Sequence, residues 1–185
     1  MSLLIRPAGR VWSGIGLAVV GTVVARPVLE GLLVGTLCVA YGLAWRLWAA
    51  GHIQKGETVT TTGPYHLHRH PLYWGTFWVG VGFACMVNRP AFWVAFLVYY
   101  AIVYGLTIRQ EERFLRSRFG VFYEAYAART SAWLPWPRGR SRSPQENPWS
   151  WSRVRTHREH RTTIAVLLWT LSFWVQWGVG RLGLG

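Results

Sequence analysis

Residues 71–88 read PLYWGTFWVGVGFACMVN, and residues 90–108 read PAFWVAFLVYYAIVYGLTI, with only Arg89 between them. Pro71 to Asn88 gives 18 uncharged residues and Pro90 to Ile108 gives 19. Each approaches the ~20 apolar residues that a helix needs to cross a ~30 Å hydrocarbon core. The turn Asn88-Arg89-Pro90 suits a tight helical hairpin, because proline opens a new helix and cannot continue an old one. Toward the C-terminus, Thr162 to Gly180 supplies 19 more uncharged residues. Toward the N-terminus, Val11 to Ala25 and Gly31 to Trp45 hold 15 each. They span if the flanking arginines reach out to the headgroups and the helices start a turn earlier. The alternative is a re-entrant or core pair. Arg6 and Arg10 could head a signal peptide, but apolar sequence resumes at Val28 with no polar mature start. The expectation is an all-α, polytopic membrane protein with five transmembrane helices.

The 185 residues carry a net charge of +13, yet 51% are apolar and only 15% are charged. That combination excludes a disordered basic tail. A soluble nucleic-acid binder explains the charge but not the apolar runs. Two cysteines, Cys38 and Cys85, both within apolar runs, exclude a disulfide scaffold. Five spans put the N-terminus, the segment from Ala49 to His70 and the segment from Arg109 to Arg161 on one side. That side holds Arg6, Arg10, Arg46, Lys55, Arg69 and twelve later arginines, against Arg26, Arg89 and Arg181 opposite. The positive-inside rule makes the richer side cytoplasmic.

The cytoplasmic side has three pieces of distinct character. Gly51 to His70 has turn chemistry, with Thr62-Gly63-Pro64-Tyr65 at its centre. From Ile108 to Arg129, Phe114, Leu115, Phe119, Phe122, Tyr123 and Tyr126 recur at helical spacing among arginines, predicting an interfacial helix interrupted near Gly120. Ser131 to Arg161 has four prolines, seven arginines and Trp133, Trp136, Trp149 and Trp151. It reads as a loop lying on anionic lipid headgroups, not on nucleic acid.

Functional side chains concentrate in two places at this surface. The first is Tyr65-His66-Leu67-His68-Arg69-His70-Pro71-Leu72-Tyr73-Trp74-Gly75. Its alternating histidines could share one side of an extended segment, but no Cys or acidic ligand accompanies them, so no metal is expected. A polar rim with an aromatic belt accounts for the same residues. The second is Arg109-Gln110-Glu111-Glu112-Arg113, where adjacent carboxylates on a helix point about 100° apart. One can then face a pocket while the other pairs with an arginine; the other reading is a solvated face with helical neighbours. Cations at Arg69 and His70 opposite carboxylates at Glu111 and Glu112 suit a zwitterionic ligand.

Thr62-Gly63-Pro64-Tyr65, Arg69-His70-Pro71-Leu72-Tyr73-Trp74-Gly75, Glu111-Glu112-Arg113-Phe114-Leu115 and Phe119-Gly120-Val121-Phe122-Tyr123-Glu124-Ala125-Tyr126 resemble, in order and spacing, the isoprenylcysteine carboxyl methyltransferase and phospholipid methyltransferase superfamily of integral membrane enzymes. The resemblance covers about Ala44 to Pro135. It implies S-adenosylmethionine as methyl donor at the cytoplasmic face. It further implies donor contacts from Gly63, Tyr65, His68, His70, Pro71, Tyr73, Gly75, Glu111, Glu112 and Tyr123. Arg69 joins the reacting centre, and Arg46 corresponds to an arginine that looks like the ligand of an acceptor carboxylate. The other reading of Arg46 is an arginine reaching the headgroups from a helix end.

The domain reading is 1–50 as two N-terminal spans, 51–135 as catalytic core, 136–161 as cytoplasmic loop and 162–185 as a last span. Relatives commonly stop near the segment matching Tyr126 to Pro135, so Trp136 to Gly185 is an extension that covers the acceptor entrance, contacts a partner or anchors the loop. The single lysine among so many arginines points to a GC-rich bacterial genome, and so to a bacterial inner membrane. Protein prenylation is not expected there. The acceptor is lipophilic, with a carboxylate favoured and a thiol or lipid amine open. A sterol-reductase-like enzyme using a nicotinamide cofactor and a non-catalytic lipid-binding protein are the competing classes. Leu72, where those reductases typically have asparagine, and the Glu111-Glu112 pair favour methyl transfer.

Overall fold

Proline and glycine punctuation sets the helix boundaries. The computed structural model describes residues 7–54, 58–132, 135 and 148–182. Its helices are α1 (Pro7–Val24), α2 (Leu29–His52), α3 (Pro71–Val87), α4 (Pro90–Phe119), α5 (Val121–Arg129), α6 (Trp151–Thr156) and α7 (Glu159–Arg181), with a 3-10 turn at Gly63–His66. Among the described residues there is no strand, only a single parallel bridge between His68 and Ser131. Helices α2, α4 and α7 are long and apolar enough to cross a membrane, while Gly9–Val24 and Pro71–Val87 are shorter apolar helices. At 1.5 Å per residue, α3 rises only about 26 Å.

The hairpin between α3 and α4 forms as its sequence predicts. Asn88 ends α3 in the left-handed conformation (φ 51°), and Pro90 opens α4. The turn is stitched to its look-alike after α1: Asn88 Nδ2 donates to the Arg26 carbonyl (3.1 Å) and Arg89 Nε to that of Val24 (3.1 Å). The Arg26 amide donates to the Val87 carbonyl at 3.0 Å.

Helix α3 is the axis of the bundle, because α2 meets it backbone to backbone. A Cβ on Gly42 would stand 2.5 Å from the Gly75 carbonyl oxygen, and one on Gly75 would stand 2.6 Å from that of Gly42. Seven residues away on each helix, Gly35 and Gly82 repeat the arrangement at 2.6 Å in both directions. Small residues allow this approach, and dispersion across the close interface holds the helices without help from water. Gly75, expected at the donor, lies in the α2–α3 interface. Large exposed apolar side chains stud α1, α2, α4 and α7, and α3 contributes none of them. Such an apolar exterior matches lipid rather than water.

Two boundaries differ from expectation. There is no separate interfacial helix from Ile108, because α4 runs on unbroken to Phe119. The interruption near Gly120 is present, at φ 49°, a conformation that favours glycine. Beyond it, Tyr123 turns inward and is buried while Val121 and Phe122 are exposed. The C-terminal helix starts at Glu159 rather than at 162, and α6 folds within the stretch read as loop. Trp133, Trp136 and the rest of 136–147 lie outside the described residues, as does Lys55, so the headgroup-binding reading of 136–161 falls partly outside them.

The chain from Pro148 onward is anchored to the end of α2. The Ser150 amide (3.0 Å) and Arg153 Nη1 (2.7 Å) both donate to the Gly51 carbonyl, one of the last carbonyls of the helix. Trp149 Nε1 donates to the Leu47 carbonyl at 3.2 Å. Helix α7 then descends beside α1 and α2, with Phe173 buried. Trp169 Nε1 donates to Thr22 Oγ1 (2.8 Å) and Trp174 Nε1 to Thr36 Oγ1 (3.1 Å).

Candidate active site

The loop entering α3 is held rigidly. Tyr126 Oη donates to the Tyr65 carbonyl at 2.6 Å, and the Arg69 amide donates to the Ser131 carbonyl at 2.9 Å. The His70 amide donates to His68 Nδ1 at 2.9 Å. Pro71 needs no donor at the first helical position, and the His70 carbonyl accepts from the amides of Tyr73 and Trp74. These bonds fix the His70 imidazole, only 2% exposed, against the C-terminal part of α4.

There the two glutamates separate. Glu112, 14% exposed, lies 3.3 Å from His70 Nε2, 3.3 Å from Arg69 Nη1 and 3.6 Å from Arg116 Nη2. Glu111, 39% exposed, lies 3.7 Å from His70 Nδ1. Burial pushes the His70 pKa down, but hydrogen bonding and charge from Glu111 and Glu112 outweigh it and hold it above its ordinary value. The bond from His70 holds the Glu112 carboxyl below the usual carboxylate range, against the opposing effect of burial, with Arg69 and Arg116 assisting. Burial raises Tyr65 and Tyr126 well above the usual phenol range and pushes Tyr123 up to about 12, so all three stay hydroxyls.

Two cavities meet beside this cluster. The smaller, about 230 Å³, opens among Gln54, Thr60, Phe114, Leu115, Tyr123 and Tyr126. The larger, about 600 Å³, has a polar end at Arg10, Arg46, His70, Tyr73 and Glu159. Its other end is apolar, walled by Ile15 and Ala18 of α1, Phe83 of α3, and Val166 and Trp169 of α7. Tyr65, Arg69 and Glu111 line both. The Oη atoms of Tyr65 and Tyr123 and Nε of Arg69 are buried without a protein hydrogen-bond partner. Buried donors in that condition are costly unless a ligand or water serves them.

Most of the sequence-predicted residues converge here. Arg46, Pro71 and Tyr73 line the larger cavity with Tyr65, Arg69, His70 and Glu111, and Tyr123 lines the smaller. Glu112 stands behind them as the holder of Arg69 and His70. Gly63, His68 and Gly75 line neither. Gly63 takes a positive φ of 60° against the His52 ring, and His68 lies 5.9 Å from Trp74, bracing the loop. Among the described residues no group of His, Cys, Asp or Glu side chains is arranged to hold a metal.

Three features of the site were not visible in the sequence motifs. Arg10 of α1 stands over the Tyr73 ring (5.6 Å), which is itself stacked on His70. Helix α7 walls the larger cavity. Glu159 meets Arg46, with Nη2 at 2.9 Å and 2.8 Å from the two carboxylate oxygens. One signal was available: Glu159 is the sole acid between Pro148 and Gly185.

A model of the phospholipid methyltransferase family matches residues 10–121. The cobalt-zinc-cadmium resistance protein CzcN of Cupriavidus metallidurans is 40% identical over 106 residues, covering 56% of this chain and 49% of that protein. The nickel-cobalt-cadmium resistance protein NccN of Alcaligenes xylosoxydans xylosoxydans is 37% identical over the same length, 56% of this chain and 49% of its own. A probable protein-S-isoprenylcysteine O-methyltransferase of Oryza sativa subsp. indica is 37% identical over 84 residues, 45% of this chain and 44% of its own. The chain spans about half the length of the curated relatives it matches. No solved structure matches it.

Proposed function

The chain belongs to the phospholipid methyltransferase family, and on that premise we propose that it is an integral membrane enzyme that moves a methyl group from S-adenosylmethionine to a lipophilic acceptor. The observation that carries this reading is the junction of the two cavities at Tyr65, Arg69 and Glu111. A two-substrate transfer needs a donor site and an acceptor site that touch at the reacting atoms. The smaller, cytoplasm-facing cavity takes the donor and the larger, reaching among α1, α3 and α7, takes the acceptor.

The residues fit the donor. Arg69 and His70 would receive its carboxylate and Glu111 its ammonium or ribose hydroxyls, with Glu112 holding the two cations in place. The partnerless hydroxyls of Tyr65 and Tyr123 supply donors, and their rings present faces to a cation. Bound there, S-adenosylmethionine supplies an electrophilic methyl on a sulfonium. The protein contributes alignment and exclusion of water. Residues 51–135 form the catalytic core.

Helices α1, α2, α3, α4 and α7 are the five spans, and the polar end of the bundle faces the cytoplasm of a bacterial inner membrane. Arg153, Arg155, Arg158 and Arg161 continue the basic tract that meets anionic headgroups. A reporter fused after Leu182 then reads outside, opposite to one placed in the 53–60 loop. The same side for both would remove one span.

The direct test is binding of labelled S-adenosylmethionine to the detergent-purified chain, with NADPH as control. His70→Ala and Glu111→Ala each lose a charge-assisted contact and should weaken binding by about tenfold or more. Wild-type affinity in both variants, or binding of NADPH instead, would overturn the assignment.

A further inference from the structure

Both terminal nitrogens of Arg46 are already engaged within the protein. Its Nη2 is shared by both oxygens of Glu159, and its Nη1 donates to Thr76 Oγ1 and to the Leu72 carbonyl (3.5 Å). Nε is buried and has no protein hydrogen-bond partner. The pair is 15% and 10% exposed and sits in the wall of the larger cavity. Glu159 comes from beyond the family match, which ends at residue 121. It is delivered on the first turn of α7 because Ser150 and Arg153 dock α6 on the end of α2. The extension therefore sets a carboxylate where an acid acceptor's own carboxylate would sit. A second carboxylate there meets like charge and finds both terminal guanidinium nitrogens engaged and Nε buried.

Resting on the methyltransferase reading, we propose that Glu159 is a catalytic, specificity-determining residue: it makes the site select a neutral lipophilic thiol and reject lipophilic carboxylates. Glu159 accepts the hydrogen bond of the acceptor S–H at the polar end of the cavity, and the tail runs along Ile15, Phe83, Val166 and Trp169. As the acceptor sulfur bonds to the methyl carbon, the bond from that carbon to the sulfonium sulfur breaks and its electron pair stays on the departing sulfur. The acceptor proton passes to a Glu159 oxygen and then to water. A weak base suffices, because the S–H proton becomes strongly acidic once its sulfur is alkylated. Arg46 is a positioning residue that orients Glu159 by donating to both of its carboxylate oxygens.

The test uses the full chain in detergent, without donor, and follows tryptophan fluorescence as 1-hexadecanethiol or hexadecanoate is added; Trp169 lines the cavity. Wild type should bind the thiol at least about tenfold tighter than the acid. Glu159→Gln frees Arg46, so the acid should gain about tenfold or more and the preference should reverse, while S-adenosylmethionine affinity stays unchanged. Glu159→Asp keeps a carboxylate and should keep the thiol preference; if Glu159→Gln does not fold, the ratios in wild type and Glu159→Asp decide. With donor added, wild type should methylate the thiol and Glu159→Gln should lose that turnover. Equal binding of acid and thiol by wild type, or an unchanged ratio in Glu159→Gln, overturns the proposal. Failure to bind S-adenosylmethionine would instead overturn the methyltransferase reading and leave the acid-to-thiol ratio readable.

Discussion

Helix α2 and helix α7 both pack on the central helix α3, and they are held in the bundle by opposite means. Against α2, glycines at Gly35, Gly42, Gly75 and Gly82 bring backbone to backbone, so no side chain can shift to relieve a change. Helix α7 is seated by side chains, through Trp169 on Thr22, Trp174 on Thr36 and Glu159 on Arg46. Backbone contact sets a spacing that tolerates almost no variation. Side-chain contact leaves room, and the apolar half of the larger cavity is that room, between Ala18, Phe83, Val166 and Trp169. The glycine interface fixes α3 against α2, and the side-chain interface borders the larger cavity.

Substitution at the glycine interface should have the largest effect. Gly82→Val would set its Cβ 2.6 Å from the Gly35 carbonyl oxygen and 2.7 Å from Val39 Cγ2, forcing the helices apart. A loss of about 3 kcal/mol or more is expected in denaturant titrations of detergent-solubilised protein. Wild-type stability in this variant would erase the contrast with α7.

Next comes the polar end that the rigid pair supports. Glu112→Ala leaves Arg69 and the buried His70 without their shared carboxylate oxygen, at a cost of about 2–3 kcal/mol. Donor binding should fall with stability. If only binding falls, Glu112 touches the donor rather than holding its ligands.

The same cluster gives a pH signature in the ligand-free chain. His70 is held above its ordinary 6.5, so its stabilisation is complete below that value and fades as pH rises through the raised pKa. Glu112 is held below 4.5, so its contribution is present above that value and fades as pH falls through the lowered one. Thermal midpoints should therefore form a plateau from pH 4.5 to 6.5 and decline on either side, with the alkaline decline absent in His70→Gln. A decline that persists in His70→Gln assigns it to another group.

The smallest effect belongs to α7. Thr36→Val removes the acceptor of the Trp174 indole and should cost about 0.6 kcal/mol, typical of a hydrogen bond within a membrane bundle. A loss as large as that of Gly82→Val would mean that α7 belongs to the rigid unit.

Much of this architecture is legible in the residues alone. The charge-free runs at 71–88 and 90–108, the turn at Asn88 and the break at Gly120 are local properties, set by apolar length and by φ angles that few residues accept. The division of labour between Glu111 and Glu112 is legible as geometry, because neighbours on a helix diverge by about 100°. Which of the two faces the cavities is not, since that depends on where His70 and Arg69 stand.

Gly75 shows the limit from the other side. It lies inside a motif that resembles a donor site, yet its close contact is with Gly42, at the matching place on a helix whose register the motif does not mention. Its heptad partner Gly82 is in plain view, and taken with Gly35 and Gly42 it signals the close interface.

By itself, the sequence determined that the chain is helical, that its exterior is apolar, and that its histidine, arginine and glutamate chemistry gathers at one end. Those features arise from residue type and spacing within one segment. Only the tertiary structure decided that Arg46 answers to Glu159, 113 residues away, and that α7 closes the larger cavity. Pairing across such a separation is set by how whole helices dock, and no local pattern in either segment encodes it.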